Sequence, residues 1–86
     1  MIKKTGMYKV IVVTSKGLID FSQPIKPTRT YNCATWEEAI NAVSNERQLF
    51  WTRAGMDNAQ VWSDCIGQFQ AYSGTIHEHI LVDIIE

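Results

Sequence analysis

Two runs rich in β-branched residues, MYKVIVVT over residues 7–14 and TIHEHILVDII over 75–85, bracket the one long segment of helical spacing in this chain. β-branched side chains favour a pleated, half-buried backbone. A helix set between groups of strands, rather than alternating with them, points to an α+β fold. The expected architecture is an antiparallel sheet of four to five strands with its helices on one face.

The helix has the sharper local signal. In Thr35-Trp36-Glu37-Glu38 the threonine can cap a helix start and Glu38, three residues on, can complete the capping box. Glu37 and Glu38 also suit the positive end of the helix dipole. Trp36, Ala39, Ile40, Val43, Phe50 and Ala54 follow helical spacing and Gly55 fits the stop, which predicts a main helix over about 36–51. Beyond it, Val61, Trp62, Cys65 and Ile66 fall at i, i+1, i+4 and i+5. That stripe predicts a short second helix over about 58–66, capped by Asp57 or Asn58 and ended by Gly67, with a strand over 60–66 as its rival. Among the strands, LIDFS over 18–22 alternates and follows the turn Ser15-Lys16-Gly17, where Gly17 can take a positive φ, so it reads as the return strand of a hairpin. Residues 28–33 and 68–73 read as further strands. In the last run, Ile76, Ile80, Val82 and Ile84 share one face, and His77, His79, Leu81, Asp83 and Ile85 the other. The expected core is Val10, Val12, Trp36, Ile40, Val43, Ile80, Val82 and Ile84.

With 86 residues the chain has room for one domain, 1–86, and one thin core. No apolar run is long enough to span a membrane. Lys3-Lys4 is followed by Lys9, Lys16 and Asp20 without a small-residue cleavage site, so no export signal is read and a cytoplasmic protein is expected. Cys33 and Cys65 then read as reduced thiols. The net charge is −1, but it is unevenly spread. Residues 1–30 carry Lys3, Lys4, Lys9, Lys16, Lys26 and Arg29 against Asp20 alone, and the acids concentrate after residue 30.

Several side-chain groups invite chemistry. His77 and His79, at i and i+2 on a strand, would point to one side and could share a metal ion. Asp83 lies about 13 Å farther along at ~3.3 Å per residue, too far to join them. No CxxC or HExxH motif accompanies the pair, and two solvated histidines near a turn explain it as well. A thiol enzyme built on Cys65 and a histidine lacks a glycine-rich turn or capped helix to activate the thiol. No glycine-rich phosphate loop is present. No cofactor is expected. Lys16, Lys26 and Arg29 could make a basic patch for nucleic acid, although edge strands carry lysines for other reasons. The aromatics say more: three tryptophans occur, and Trp51 stands between Arg47 and Arg53. Large aromatics fill thin cores, and they also anchor interfaces.

The capped stretch Thr35-Trp36-Glu37-Glu38-Ala39-Ile40, and the strand Gly67-Gln68-Phe69-Gln70-Ala71-Tyr72 leading into an acid-ended C-terminal strand, resemble small phage-encoded anti-defence proteins, in particular anti-CRISPR families acting on type I systems. The resemblance covers about half of the chain. It implies a compact inhibitor without an active site that occupies a surface of a host nucleoprotein complex.

The expectation is therefore a non-enzymatic protein-binding inhibitor. Glu37, Glu38, Glu46, Asp57 and Asp64 would form its acidic rim, with Trp51, Arg53, Trp62 and Tyr72 near the contact. The alternatives are a nucleic-acid-binding domain using the basic N-terminal segment, and a small metal- or thiol-dependent enzyme using His77, His79 and Cys65. The same aromatics could also serve a homodimer.

Overall fold

The computed structural model describes residues 8–55 and 59–85. Five strands and one helix follow in the order β1 (Tyr8–Ser15), β2 (Arg29–Cys33), α1 (Trp36–Ala54), β3 (Ala59–Cys65), β4 (Gln68–Ser73) and β5 (Glu78–Ile85). They form a single antiparallel sheet in the order β2-β1-β5-β4-β3. Helix α1 packs on one side of it, so the fold is α+β, as the element order predicts.

The helix starts as its sequence dictates. Glu38 N–H donates to Thr35 Oγ1 at 3.1 Å, and Glu38 Oε1 accepts from Ala34 N–H at 2.9 Å, one residue earlier than in the standard box. It ends at Gly55, whose φ of 79° is left-handed and whose N–H donates to Trp51 O. The helix therefore continues three residues past the predicted residue 51.

Ala39, Val43, Phe50 and Ala54 form its buried stripe, packed on Val10, Val12, Phe69, Ala71, Ile80 and Val82 of the sheet. Five of the expected core residues lie in this layer: Val10, Val12, Val43, Ile80 and Val82. Ile40 and Ile84 are only half-buried. Trp36 is 45% exposed, because the first turn of α1 reaches the rim of the sheet, where its ring meets Tyr8 edge-on.

Two predicted elements are corrected. The segment 58–66 is not a helix, since Ala59–Cys65 is the edge strand β3 and residue 58 lies outside the described residues. A β-bulge explains the misleading spacing. The register runs Val61↔Ala71, then Ser63↔Gln70 and Asp64↔Phe69, so one extra residue turns a two-residue period into a three-residue step between Val61 and Asp64. The segment 18–22 is not a strand either. Asp20 Oδ1 accepts from Ser22 N–H at 3.0 Å and from Ser22 Oγ at 2.6 Å, and Gln23 N–H returns to Asp20 O. This local side-chain-to-backbone bonding makes a turn instead of a ladder. The hairpin partner of β1 is β2, and among the described residues positive φ occurs at Gly55 and His77, not at Gly17. Strand β5 also starts later than residue 75, which leaves His77 in the preceding turn.

One charged residue interrupts the buried stripe of α1. Glu46 is 1% exposed and ties the helix to the edge strand β2. Arg29 grips it with Nη2–Oε1 at 2.6 Å and Nε–Oε2 at 3.3 Å, and Tyr31 OH donates to Oε2. Burial pushes the Glu46 carboxyl up, but the bonds from Arg29 and Tyr31 together outweigh it and hold its pKa below the ordinary value.

This arrangement predicts an asymmetry. Arg29→Ala leaves a buried carboxylate without its cation and costs about 1–3 kcal/mol at neutral pH. Glu46→Gln costs less, because the Arg29 side chain is 42% exposed and can turn to water. A carboxyl with a lowered folded pKa contributes stability above its unfolded pKa and loses it in acid. The Arg29→Ala deficit should therefore shrink between pH 7 and about pH 4. Urea unfolding at the two pH values checks this, and an unchanged deficit contradicts the assignment.

Candidate functional site

Side chains of paired residues share a face, so the register divides the sheet. Tyr8, Val10 and Val12 of β1 and Ile80 and Val82 of β5 face the helix. Ile11, Val13, His79, Leu81, Gln70, Tyr72 and Trp62 lie on the opposite, distal face. No helix covers that face among the described residues. The connection 16–28 crosses it as a strap, and beneath it Val13 and His79 are buried.

His79 is the pin of this arrangement. It is 2% exposed, and Ile19 N–H in the strap donates to its Nδ1 at 2.7 Å. A ring nitrogen that accepts a backbone N–H carries no proton, so the neutral imidazole holds its hydrogen on Nε2. Gln70 Nε2 lies 3.0 Å from this Nε2. An amide NH2 only donates, so this tautomer requires the Gln70 carboxamide turned over to present its oxygen to the ring N–H. Three rings meet the imidazole edge-on: Trp62 at 4.9 Å between centroids, and Phe21 and Tyr72 each at 6.4 Å. Burial lowers the His79 pKa below its ordinary value.

The outer surface of this cluster carries large apolar side chains, with the exposed Asp20 between Ile19 and Phe21. Phe21 is 55% exposed and Trp62 45%, and Leu18, next to Ile19 in the strap, is more exposed still. Large apolar groups that share a neighbour and stay in water mark a contact surface more than scattered single residues do.

The expected site residues do not form one group. Trp62 and Tyr72 meet around His79. Trp51 packs on Phe50 and Phe69 on the helix side and belongs to the core margin. Glu46 is withdrawn from the acidic rim, because it is buried under Arg29 and Tyr31. Asp64 pairs with Arg47 at 3.2 Å, and Arg53 with Glu78 at 2.6 Å. Glu37 and Glu38 are exposed at the start of α1. Asp57 lies outside the described residues.

The histidine pair is divided. His77 sits exposed in the turn with φ 52°, while both ring nitrogens of His79 are already engaged, so the two do not share an ion. The reading of both as solvated fails for His79. Among the described residues no group of three or more metal-ligating side chains converges. Cys65 pairs with Gln68 while His79 pairs with Tyr72, which sets them about 13 Å apart along the strands and two strands apart across the sheet. They cannot form a thiol–imidazole pair. Cys33 and Cys65 lie on opposite edge strands, about 19 Å apart at ~4.8 Å per strand, beyond the reach of a disulfide.

The residues missed in the sequence are His79 as a buried pin, and Phe21 and Leu18. The signal for Phe21 is the alternation in 18–22, which sets Ile19 and Phe21 on one side, opposite Leu18, Asp20 and Ser22, without revealing that the segment crosses the sheet. Comparison with protein-family models, with curated proteins and with solved structures finds no match. No helix among the described residues is long and apolar enough to cross a membrane.

Protonating His79 would place a hydrogen on Nδ1, where Ile19 N–H already points. The unfolded chain takes up this proton at a higher pH than the folded one. Stability therefore falls as pH drops through about 6.5 and levels off below the lowered folded value. Amide exchange at Ile19, corrected for its intrinsic rate, should accelerate between about pH 7.5 and about pH 5.5 relative to Val12 and Val82. In His79→Gln the difference should vanish. An equal pH response in the variant contradicts the pin.

Proposed function

We propose that this protein is a non-enzymatic binding module that acts by occupying the surface of a larger protein partner through the distal face of its sheet. The observation that carries the reading is the exposure of Phe21 and Trp62, each of which meets the buried His79 edge-on. Rigid aromatic anchors dominate binding energy where they can be fully desolvated. Here the anchors are held in place by a strand and by a pinned strap, so little ordering cost remains for association.

The resemblance of residues 35–40 and 67–72 to anti-CRISPR proteins makes a host nucleoprotein complex of the type I kind the partner class to test, with action in the host cytoplasm. The exposed Glu37 and Glu38 would favour approach to a basic surface. The other acids contribute less, since Glu46 and Asp64 are already paired with arginines.

Affinity purification from cells carrying a type I system, with the wild-type chain beside Phe21→Ser/Trp62→Ser, tests both parts. The wild type should retain a ribonucleoprotein complex, and the double variant should lose it by at least about tenfold, the loss expected for two anchors at 1–2 kcal/mol or more. Both residues are about half exposed and lie outside the core on the helix side of the sheet, so the variant should keep its fold by circular dichroism. Equal retention by the two proteins removes the distal face as the contact. Retention of no nucleoprotein removes the partner class, and a wild-type dimer that the double variant breaks would make the partner a second copy.

A further inference from the structure

A second site lies at the end of the sheet where β1 stops, β2 and β5 begin and α1 finishes. These termini enclose an open cleft of about 500 Å³ lined by Thr14, Ser15, Lys16, Arg29, Arg53, Ile76, His77 and Glu78. Three cations line it against one carboxylate. The second nearby carboxylate, Glu46, is buried behind Arg29 and faces the core.

The two arginines are fixed in the same way. Arg29 uses Nε and Nη2 on Glu46, and Arg53 uses Nε and Nη2 on Glu78. A guanidinium has five N–H donors in a rigid fork, so the pairing leaves three donors on each. Both arginine side chains remain about two-fifths exposed. The carboxylates hold one edge of each fork while the other edge stays accessible, which is the state that costs least to complete with an incoming oxyanion. Lys16 adds a mobile charge from the end of β1, and Thr14 and Ser15 add hydroxyls. His77, the one described non-glycine residue with a positive φ, stands on the rim. Its left-handed backbone costs about 1–2 kcal/mol. Such strain gathers at functional sites. The nearby end of α1 is the negative end of its dipole, so the attraction has to come from these side chains.

We propose that this cleft is a binding site for a phosphate monoester, with Arg29, Arg53 and Lys16 as the groups that hold the phosphate. Two forks supply directed donors to separate oxygens, and the ammonium supplies charge. The volume exceeds that of a phosphate ion and leaves space for an organic group bearing it, against Ile76. This site is separate from the distal face and does not depend on the reading given for it.

The test is an amide-shift titration of the folded protein with inorganic phosphate, adenosine 5′-monophosphate, adenosine and sodium chloride at matched ionic strength. Phosphate and the monophosphate should produce saturating shifts at residues 14–16, 29, 53 and 76–78. Adenosine should produce none, and chloride only small unsaturated ones. Tighter binding of the monophosphate than of phosphate supports a monoester as the ligand, and equal binding, which would make the ligand the free ion, overturns the proposal. Lys16→Ala and Arg53→Lys should each weaken binding about tenfold, the equivalent of one charge-assisted hydrogen bond. Lys16 is an exposed residue and Arg53→Lys keeps the charge, so both variants should stay folded. The proposal fails if chloride reproduces the phosphate shifts or if both variants bind as the wild type does. It also fails if a single-stranded oligonucleotide occupies the cleft far more tightly with a steep salt dependence, since the ligand would then be a phosphodiester strand.

Discussion

Five strands present two faces to water, and the described residues supply one long helix with which to cover them. The helix takes the face built from Val10, Val12, Ile80 and Val82, where the apolar side chains are largest in number and fully buried. The opposite face must be covered by irregular chain, whose backbone N–H and C=O groups need partners wherever they leave solvent. Buried His79 answers that requirement at one point. Its Nδ1 accepts the Ile19 N–H that the strap would otherwise leave unsatisfied, and Gln70 satisfies the other nitrogen. A histidine suits the place because its ring offers one acceptor and one donor on opposite sides, with a flat body on which Trp62, Phe21 and Tyr72 can lean.

The edge strand β2 poses the same problem in a different form. It is five residues long, mostly exposed, and among the described residues pairs only with β1. Its side chains secure it instead. Arg29 and Tyr31, two residues apart and therefore on one face, both reach Glu46 on α1. A buried carboxylate in an apolar stripe is costly alone, and the pair of donors makes it tolerable. The gain is placement of β2 against the helix and of the Arg29 guanidinium at the end of the sheet. Structure and candidate chemistry meet in that one side chain.

Much of this was legible in the sequence because local and tertiary preferences agree. The Thr35 cap, the helical stripe and the β-branched runs at both ends specify the same elements that packing selects. The failures share a cause. In 18–22 the alternation of Leu18, Asp20 and Ser22 with Ile19 and Phe21 is real, but Asp20 bonds its own neighbours and the segment crosses a sheet face without pairing. Glu46 was readable as an acid on the helix surface. That it shares the stripe of Val43 and Phe50 was also present in the spacing, but its partners, Arg29 and Tyr31, come from a strand whose docking no periodicity reveals. His79 presents the same limit, since alternation assigns a face but cannot say that a distant strap covers it.

The bulge in β3 also decides which side chains share the distal face with Trp62. A regular ladder continuing from Val61↔Ala71 would set Asp64 against Gln68, on the distal face with Trp62. The extra residue moves Asp64 into register with Phe69 on the helix side, where Arg47 meets it at 3.2 Å. A carboxylate is thereby removed from the neighbourhood of the aromatic cluster and matched with a cation elsewhere. Trp62 stays on the distal face beside His79, in surroundings that are aromatic and amide rather than charged. A desolvating contact at Trp62 would not bury Asp64, and the acid left beside the anchors, Asp20 in the strap, is already bonded to Ser22, which favours burial of an apolar anchor there. The irregularity that imitates a helix in the sequence is thus the feature that takes Asp64 away from Trp62, the one tryptophan carried by a strand.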